Sequence, residues 1–365
     1  MNPEEVSIYA VGDVIPSPPN PESLFESALP TLKQADILFG HLDANLSQKG
    51  EPQMHRFPAR SVGPAGVSAL TYAGFHVMSF ASNQVLDRGE VGLSETIETL
   101  TKNNIAVIGA GKNIDEARKP LILERKGTKV AFLAYCSVLP RGYEARADKS
   151  GCAPMRATTA YEQVDWQPGT PPKILTFANK DDLAAMVEDI KKVRPLADVV
   201  IMSIHWGVHH VPAVIAMYQK EVGYAAIDAG VDLILGHHPH VLKAVEVYKG
   251  KTIFYSIGNF VMPSIGYDRS DFKPMYGIKV DPEYLDYDYA VDSRKSMIAK
   301  CVIADKKIER VSYFPVMING HAQPEVLPRS DKRSSEVFEY LQWCCQDQGI
   351  DTQFSWDGDE VVIHT

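Results

Sequence analysis

The chain has 365 residues, 45% hydrophobic and 23% charged, with 37 Lys+Arg against 46 Asp+Glu. That length can bury a substantial core in one large domain or two, and that charged fraction excludes wholesale disorder. The net charge of −9 argues against a nucleic-acid surface as its main business, and no apolar run approaches the roughly 18–20 residues of a membrane span.

The opening MNPEEVSIYAVGD carries acids where a signal peptide carries Lys or Arg, so the sequence reads as cytoplasmic. Val6–Val11 is a short apolar strand ending at Gly12-Asp13. Asn20-Pro21 opens a predicted helix to about Gln34, with Asn as cap and Pro at the first helical position. Strands follow at Ile37–Phe39, Val77–Ala81, Ile105–Ile108 and Val130–Tyr135, with helices over 62–72 and 90–102. Residues 140–180 show no clear period and read as an irregular insertion or lid. Beyond it come a helix over 181–193, a strand over 198–204, a helix over 218–229 and a strand over 231–235. A hairpin turns at Lys249-Gly250 between 241–248 and 252–255. The Tyr- and Asp-rich stretch 267–289 reads as a surface loop, 297–303 with 308–316 as a closing hairpin, and 334–346 as a last helix. Val361–Ile363 reads as an edge strand. Strand–helix alternation predicts an α/β layered sheet. The predicted division is one domain over 1–330, with insertions near 140–180 and 265–296, and a helix and strand over 331–365 packed on it.

In such sheets the functional loops lie at the carboxyl ends of strands. Five strand ends here present carboxylate, carboxamide or imidazole: Asp13; His41-Leu42-Asp43; Ser82-Asn83-Gln84; His205 with His209 and His210; and His237-His238-Pro239-His240. Taken singly, Asp13 fits a turn aspartate, Asn83 a helix cap and His205 a hydrogen-bonded structural histidine. Alternation by two places His238 and His240 on one side of an extended segment stiffened by Pro239. Together the set suits Zn, Mn or Fe rather than Ca, and points to a two-metal hydrolytic centre. The five cysteines are odd in number and lack a CxxC pair, so neither a disulfide framework nor a thiolate metal site is indicated.

The segment 203–261, with HWG at 205–207, DAGVD at 228–232, GHHPH at 236–240 and YSIGNF at 255–260, resembles the signature region of CapA-type proteins. AVGDVIPS (10–17), FASNQVLDRGEVGLSETIETL (80–100) and IAVIGAGKNIDEARKP (105–120) match further blocks of that family in order. These proteins, the poly-γ-glutamate capsule-synthesis group, belong to the calcineurin-like metallophosphatase superfamily. The resemblance implies a four-layer α/β/β/α sandwich with a dinuclear site at one end of two sheets. It implies two divalent transition metals (Mn, Zn or Fe) on Asp13, Asp43, Asn83, His205, His238 and His240, with Asp43 as the bridging carboxylate. Asn259 falls in the family's Gly-Asn-Phe block, as a site residue or a structural turn.

Three positions depart from the family. His41 replaces an Asn, Asp43 a Glu, and Gln84 the His that serves metallophosphatases as proton donor or oxyanion stabiliser. Gln donates a hydrogen bond but delivers no proton near pH 7. His209, His210 and His41 are the alternative acids, and Gln84 stays a candidate catalytic residue through its hydrogen bond. The expected activity is hydrolysis of a γ-glutamyl polymer or another anionic small molecule; a phosphoesterase and a non-catalytic accessory protein are the alternatives. Arg56, Arg60, Arg88, Arg141 and Arg146 are candidate partners for substrate carboxylate or phosphate.

Overall fold

The computed structural model describes residues 5–365 except 18, 54–59, 167–168, 265–282, 285 and 288. Its main elements are β1 (Val6–Val14), β2 (Ile37–Leu42), α1 (Val67–Ala73), β3 (Val77–Ser79), α2 (Gly89–Lys102), β4 (Ala106–Ile108), β5 (Leu121–Arg125) and β6 (Thr128–Cys136). Then come β7 (Ala157–Glu162), β8 (Lys173–Ala178), α3 (Lys180–Val193), β9 (Val199–His205), α4 (Met217–Ala229), β10 (Leu233–His237), β11 (Val245–Tyr248), β12 (Lys251–Phe254) and β13 (Asn259–Val261). The chain closes with β14 (Lys295–Ala304), β15 (Lys307–Ile318), β16 (Pro324–Val326), α5 (Lys332–Asp347), β17 (Phe354–Asp357) and β18 (Glu360–Ile363).

Two mixed sheets form the centre. One runs β17-β18-β15-β14-β1-β2-β3-β4, with β13 beside β1 and β16 beside β15; the other runs β11-β12-β10-β9-β6-β5. β1 through β4 are parallel, as are β6, β9, β10 and β12, so their carboxyl ends collect at one edge of each sheet. The sheets meet face to face through Phe39 of β2 and Phe132 of β6, whose rings stack at 5.8 Å. β2 is fully buried and β6 is buried except at Lys129, as strands sandwiched between sheet and helices must largely be. On the second sheet α3 packs on α4, and α2 packs against β4 of the first. This is the four-layer α/β/β/α sandwich. Among the described residues no helix is long and apolar enough to cross a membrane.

Local chemistry explains the boundaries. Asn179 caps α3 by accepting from the Asp181 and Asp182 N–H groups, with both acids in the first turn and Lys191 and Lys192 in the last. Asn179→Ala is expected to cost about 1 kcal/mol, read as a shift in the urea midpoint.

Four expectations change. The helix predicted over 20–34 is only a 3-10 turn at Ser23–Phe25 and a short helix at Leu29–Leu32, because Pro30 lacks the N–H a continuing helix needs. The 140–180 stretch contains the β7–β8 hairpin, hidden from periodicity because most of its side chains are exposed on both faces. Val361–Ile363 is not an edge: β18 lies between β15 and β17, and β17 is the outer strand. Most of the predicted surface loop over 267–289 lies outside the described residues, but at its described end Tyr287 is buried.

Candidate metal centre

Strand register builds the site. In the first sheet Asp13 sits opposite His41 across β1 and β2, and opposite Asn259 across β1 and β13. In the second, His205 sits opposite His237 across β9 and β10. The two rows face each other. The His41 ring lies between those of His205 and His237, 4.6 Å from each. All four side chains are at most 1% exposed.

Beyond β10 the backbone leaves the extended form. His238 has φ 95° and His240 φ 57°, in the left-handed region rather than the alternating strand expected of them. Such backbone is costly for a residue with a Cβ and clusters at functional sites. Both imidazoles nevertheless reach the row: His238 Nδ1 is 3.1 Å from His205 Nε2, and His240 Nδ1 is 3.2 Å from Asp13 Oδ2. The His238 N–H donates to Asp13 Oδ2 at 3.4 Å, and His237 Nδ1 lies 3.4 Å from Asp13 Oδ1.

The ligand atoms of Asp13, His41 and His205 lie within 4.8 Å of one another. Among the described residues Asp13 Oδ1, both ring nitrogens of His41 and His237, and His205 Nδ1 make no hydrogen bond. Buried polar atoms are normally paired, and a neutral imidazole carries both a donor and an acceptor to satisfy. Bonds of about 2.0–2.2 Å to a transition metal set neighbouring ligand atoms roughly 3.0–3.5 Å apart, the spacing seen around Asp13 and His205. The donor set therefore fits a divalent transition metal.

Other predicted residues fall around this row. Asp43 is buried and accepts from Arg60 Nη1 at 2.9 Å and from Ser82 Oγ at 2.8 Å. Asn83 lies beside it, its Oδ1 3.5 Å from Ser82 Oγ. Gln84 is buried, and its carbonyl accepts from Asn45 Nδ2 at 2.6 Å. The half-buried His209 ring stacks on His238 at 4.6 Å, and His210 lies 5.3 Å from His240. Of the described candidate arginines, Arg60 pairs with a predicted site residue, Asp43. Arg56 lies outside the described residues, Arg88 donates to the Gly50 carbonyl, Arg141 is exposed and Arg146 pairs with Glu144.

Sequence reasoning left His237 without a role, although strand parity with Leu233 and Leu235 marks it as one face of β10. It also left the role of Asn259 open. The Ser293 carbonyl accepts from the Tyr287 hydroxyl at 2.5 Å, so the Tyr287 oxygen accepts from Asn259 Nδ2 at 2.8 Å. That turns Asn259 Oδ1 to His240 Nδ1, 2.7 Å away, which must carry the proton. Nε2 of His240 is left with its lone pair free of that proton.

Electrostatics follow from burial. Burial alone would raise the Asp13 carboxyl, but His237 and His240 beside it hold it well below the usual carboxylate range. Burial pushes the Asp43 carboxyl up, against the pull of Arg60. Burial, then neighbouring imidazoles, pushes His41, His205 and His209 well below the ordinary value, and His210 down to about 2. Such histidines are neutral at pH 7 and offer a hydrogen bond rather than an acidic proton. Below about pH 6.5 the unfolded chain takes up protons that these folded histidines refuse, so stability must fall as pH falls. We expect the urea midpoint of the metal-free chain to drop steadily from pH 7 to pH 5; a flat profile would contradict the burial of these rings.

The family model described as "Bacterial capsule synthesis protein PGA_cap" matches residues 7–264. The "PGA biosynthesis protein CapA" of Bacillus subtilis is 28% identical over 242 residues, 66% of this chain and 57% of that one. The "Capsule biosynthesis protein CapA" of Bacillus anthracis is 29% identical over 245 residues, 65% of this chain and 53% of that one. The chain thus spans little more than half the length of these curated relatives. The NAD nucleotidase of Haemophilus influenzae superposes over 93% of this chain and 62% of its own, at 13% identity and a TM-score of 0.42. On the match over residues 7–264, this chain belongs to the bacterial PGA_cap capsule synthesis family.

Proposed function

We propose that the chain is a metal-dependent hydrolase acting on a γ-glutamyl polymer or a related anionic amide. The observation that carries this reading is the buried row of Asp13, His41, His205 and His237, in which Asp13 Oδ1, His205 Nδ1 and both ring nitrogens of His41 and His237 make no hydrogen bond within the described protein. Asp13, His41 and His205 would hold a transition metal, with His238 and His240 contributing from the turn. Such an ion would supply an activated water and offset developing negative charge. Metal affinity then depends on outer partners: Asn259→Leu frees the His240 tautomer and is expected to weaken binding about 10–100-fold, measured by chelator competition.

His41 is too deep to meet a leaving group and serves as a ligand. His209, half-buried beside His238, is the acid, gaining its proton only once bound negative charge raises it. Gln84 orients substrate by hydrogen bonding. The γ-glutamyl assignment follows the family resemblance, and the relatives' printed names refer to PGA and capsule biosynthesis. The metallophosphatase-type sandwich supports a second reading, hydrolysis of a small phosphate ester. A side-by-side assay of poly-γ-glutamate and p-nitrophenyl phosphate with Mn(II) separates the two. Release of glutamate supports the first, release of nitrophenol alone the second, and neither product would leave a binding role. Gln84→His is expected to raise hydrolysis by about 10-fold or more by restoring a proton donor.

A further inference from the structure

We propose that the Arg60 guanidinium stands in for a second cation, so that this site holds a single metal ion at Asp13, His41 and His205. This rests on the metal-dependent reading above and sets the number of ions within it.

Asp43 is the residue at stake. A carboxylate oxygen that accepts one hydrogen bond keeps a second lone pair, so a second ion is opposed by the charge of the partner rather than by the bonds themselves. Here Oδ2 accepts from Arg60 Nη1 at 2.9 Å and Oδ1 accepts from the Ser82 hydroxyl at 2.8 Å. The side chains of Arg60 and Asp43 are 9% and 1% exposed, so little water screens this pair. A guanidinium does not deprotonate in a protein, and a dication on the same carboxylate would meet a fixed positive charge.

Arg60 is also tethered. Its N–H donates to Asp87 Oδ2 at 3.0 Å, and buried Asp87 accepts from the Tyr143 hydroxyl at 3.2 Å through its other oxygen. The Arg60 carbonyl accepts from the Asn45 N–H at 2.9 Å. Tyr289, whose ring lies 6.0 Å from the guanidinium and 5.3 Å from the His240 ring, closes the other side. The polar atoms divide in the same way. Atoms without a hydrogen bond among the described residues include Asp13 Oδ1, both ring nitrogens of His41 and His237, and His205 Nδ1, whereas each Asp43 oxygen accepts one.

The exchange has a functional consequence. A second ion would supply positive charge to an anionic substrate, and the planar guanidinium supplies it too, with geometry suited to carboxylate or phosphate. Arg60 is therefore a specificity-determining residue for anionic substrates.

The test uses the full chain, stripped with chelator, resupplied with excess Mn(II) and desalted, then read by elemental analysis and electron paramagnetic resonance. We expect about one equivalent with an isolated Mn(II) signal in the wild type, and about two in Arg60→Met, which frees Asp43. About two equivalents with an exchange-coupled signal in the wild type would overturn the proposal and leave the metal reading intact. No bound metal would defeat the metal reading and the proposal with it. The wild-type spectrum decides even if Arg60→Met fails to fold; a folded Arg60→Met that stays at one equivalent also counts against the proposal.

Discussion

Asp13→Asn is expected to lose metal binding by at least about 100-fold and to lose hydrolysis with it. Asp13 is the carboxylate at the centre of the row, within 3.4 Å of His237 and 3.2 Å of His240 and fully buried. Asn keeps the shape and one acceptor oxygen but removes the charge that draws a cation into an apolar interior. Changes to outer partners of metal ligands already cost about 10–100-fold, so loss of the central anion should reach or pass the top of that range. Thermal unfolding separates loss of ligand from loss of fold. Metal at about 100 times its Kd stabilises a native site by about 2.7 kcal/mol, so the wild type should melt higher with Mn(II) present. Asp13→Asn should fold and show no such rise. A variant that melts higher with metal as the wild type does would remove Asp13 from the site.

Gly12→Ala should be the most damaging single-methyl change near the centre, costing about 3 kcal/mol or more. A Cβ at Gly12 would lie 1.9 Å from the Gly258 carbonyl oxygen, a backbone atom that cannot rotate away. The Asp13 N–H donates to that same carbonyl at 3.1 Å, and Asn259 follows it directly. Parting β1 from this turn therefore displaces Asp13 and the Asn259 amide that orients His240. The result should be a lowered urea midpoint together with weakened metal binding. Gly250→Ala is the control, since no atom lies within 4 Å of its added Cβ and only the positive φ of 73° is strained, costing about 1 kcal/mol. Equal midpoints for the two variants would refute the contact argument.

Much of this site is legible from local pattern. Asp13, His41 and His205 each stand at or next to the end of an apolar run, and parallel strands deliver such ends to one edge by geometry alone. The turn residues are a different case. His238 and His240 reach the row through left-handed backbone, and alternation over an extended segment describes neither. Arg60 and Tyr289 come from segments remote in sequence, without a period that ties them to β1 or β10. Their place depends on tertiary contacts with Asp43, Asp87 and His240. The hairpin of β7 and β8 was illegible because its side chains show no buried face, and the helix expected over 20–34 failed on Pro30.

Asp43, read as the bridging carboxylate, lies 2.9 Å from the buried Arg60 guanidinium, a contact that local pattern does not reveal. His41, read as an added ligand or acid, lies among the candidate donors of the row.

The central claim, that the Asp13–His41–His205 row is a metal centre, is tested most directly by anomalous X-ray scattering from crystals of the chain soaked in Mn(II) or Zn(II). A metal-edge difference peak is expected among the carboxylate of Asp13 and the imidazoles of His41 and His205. An ordered row with no peak, or a peak confined to the protein surface, would contradict it.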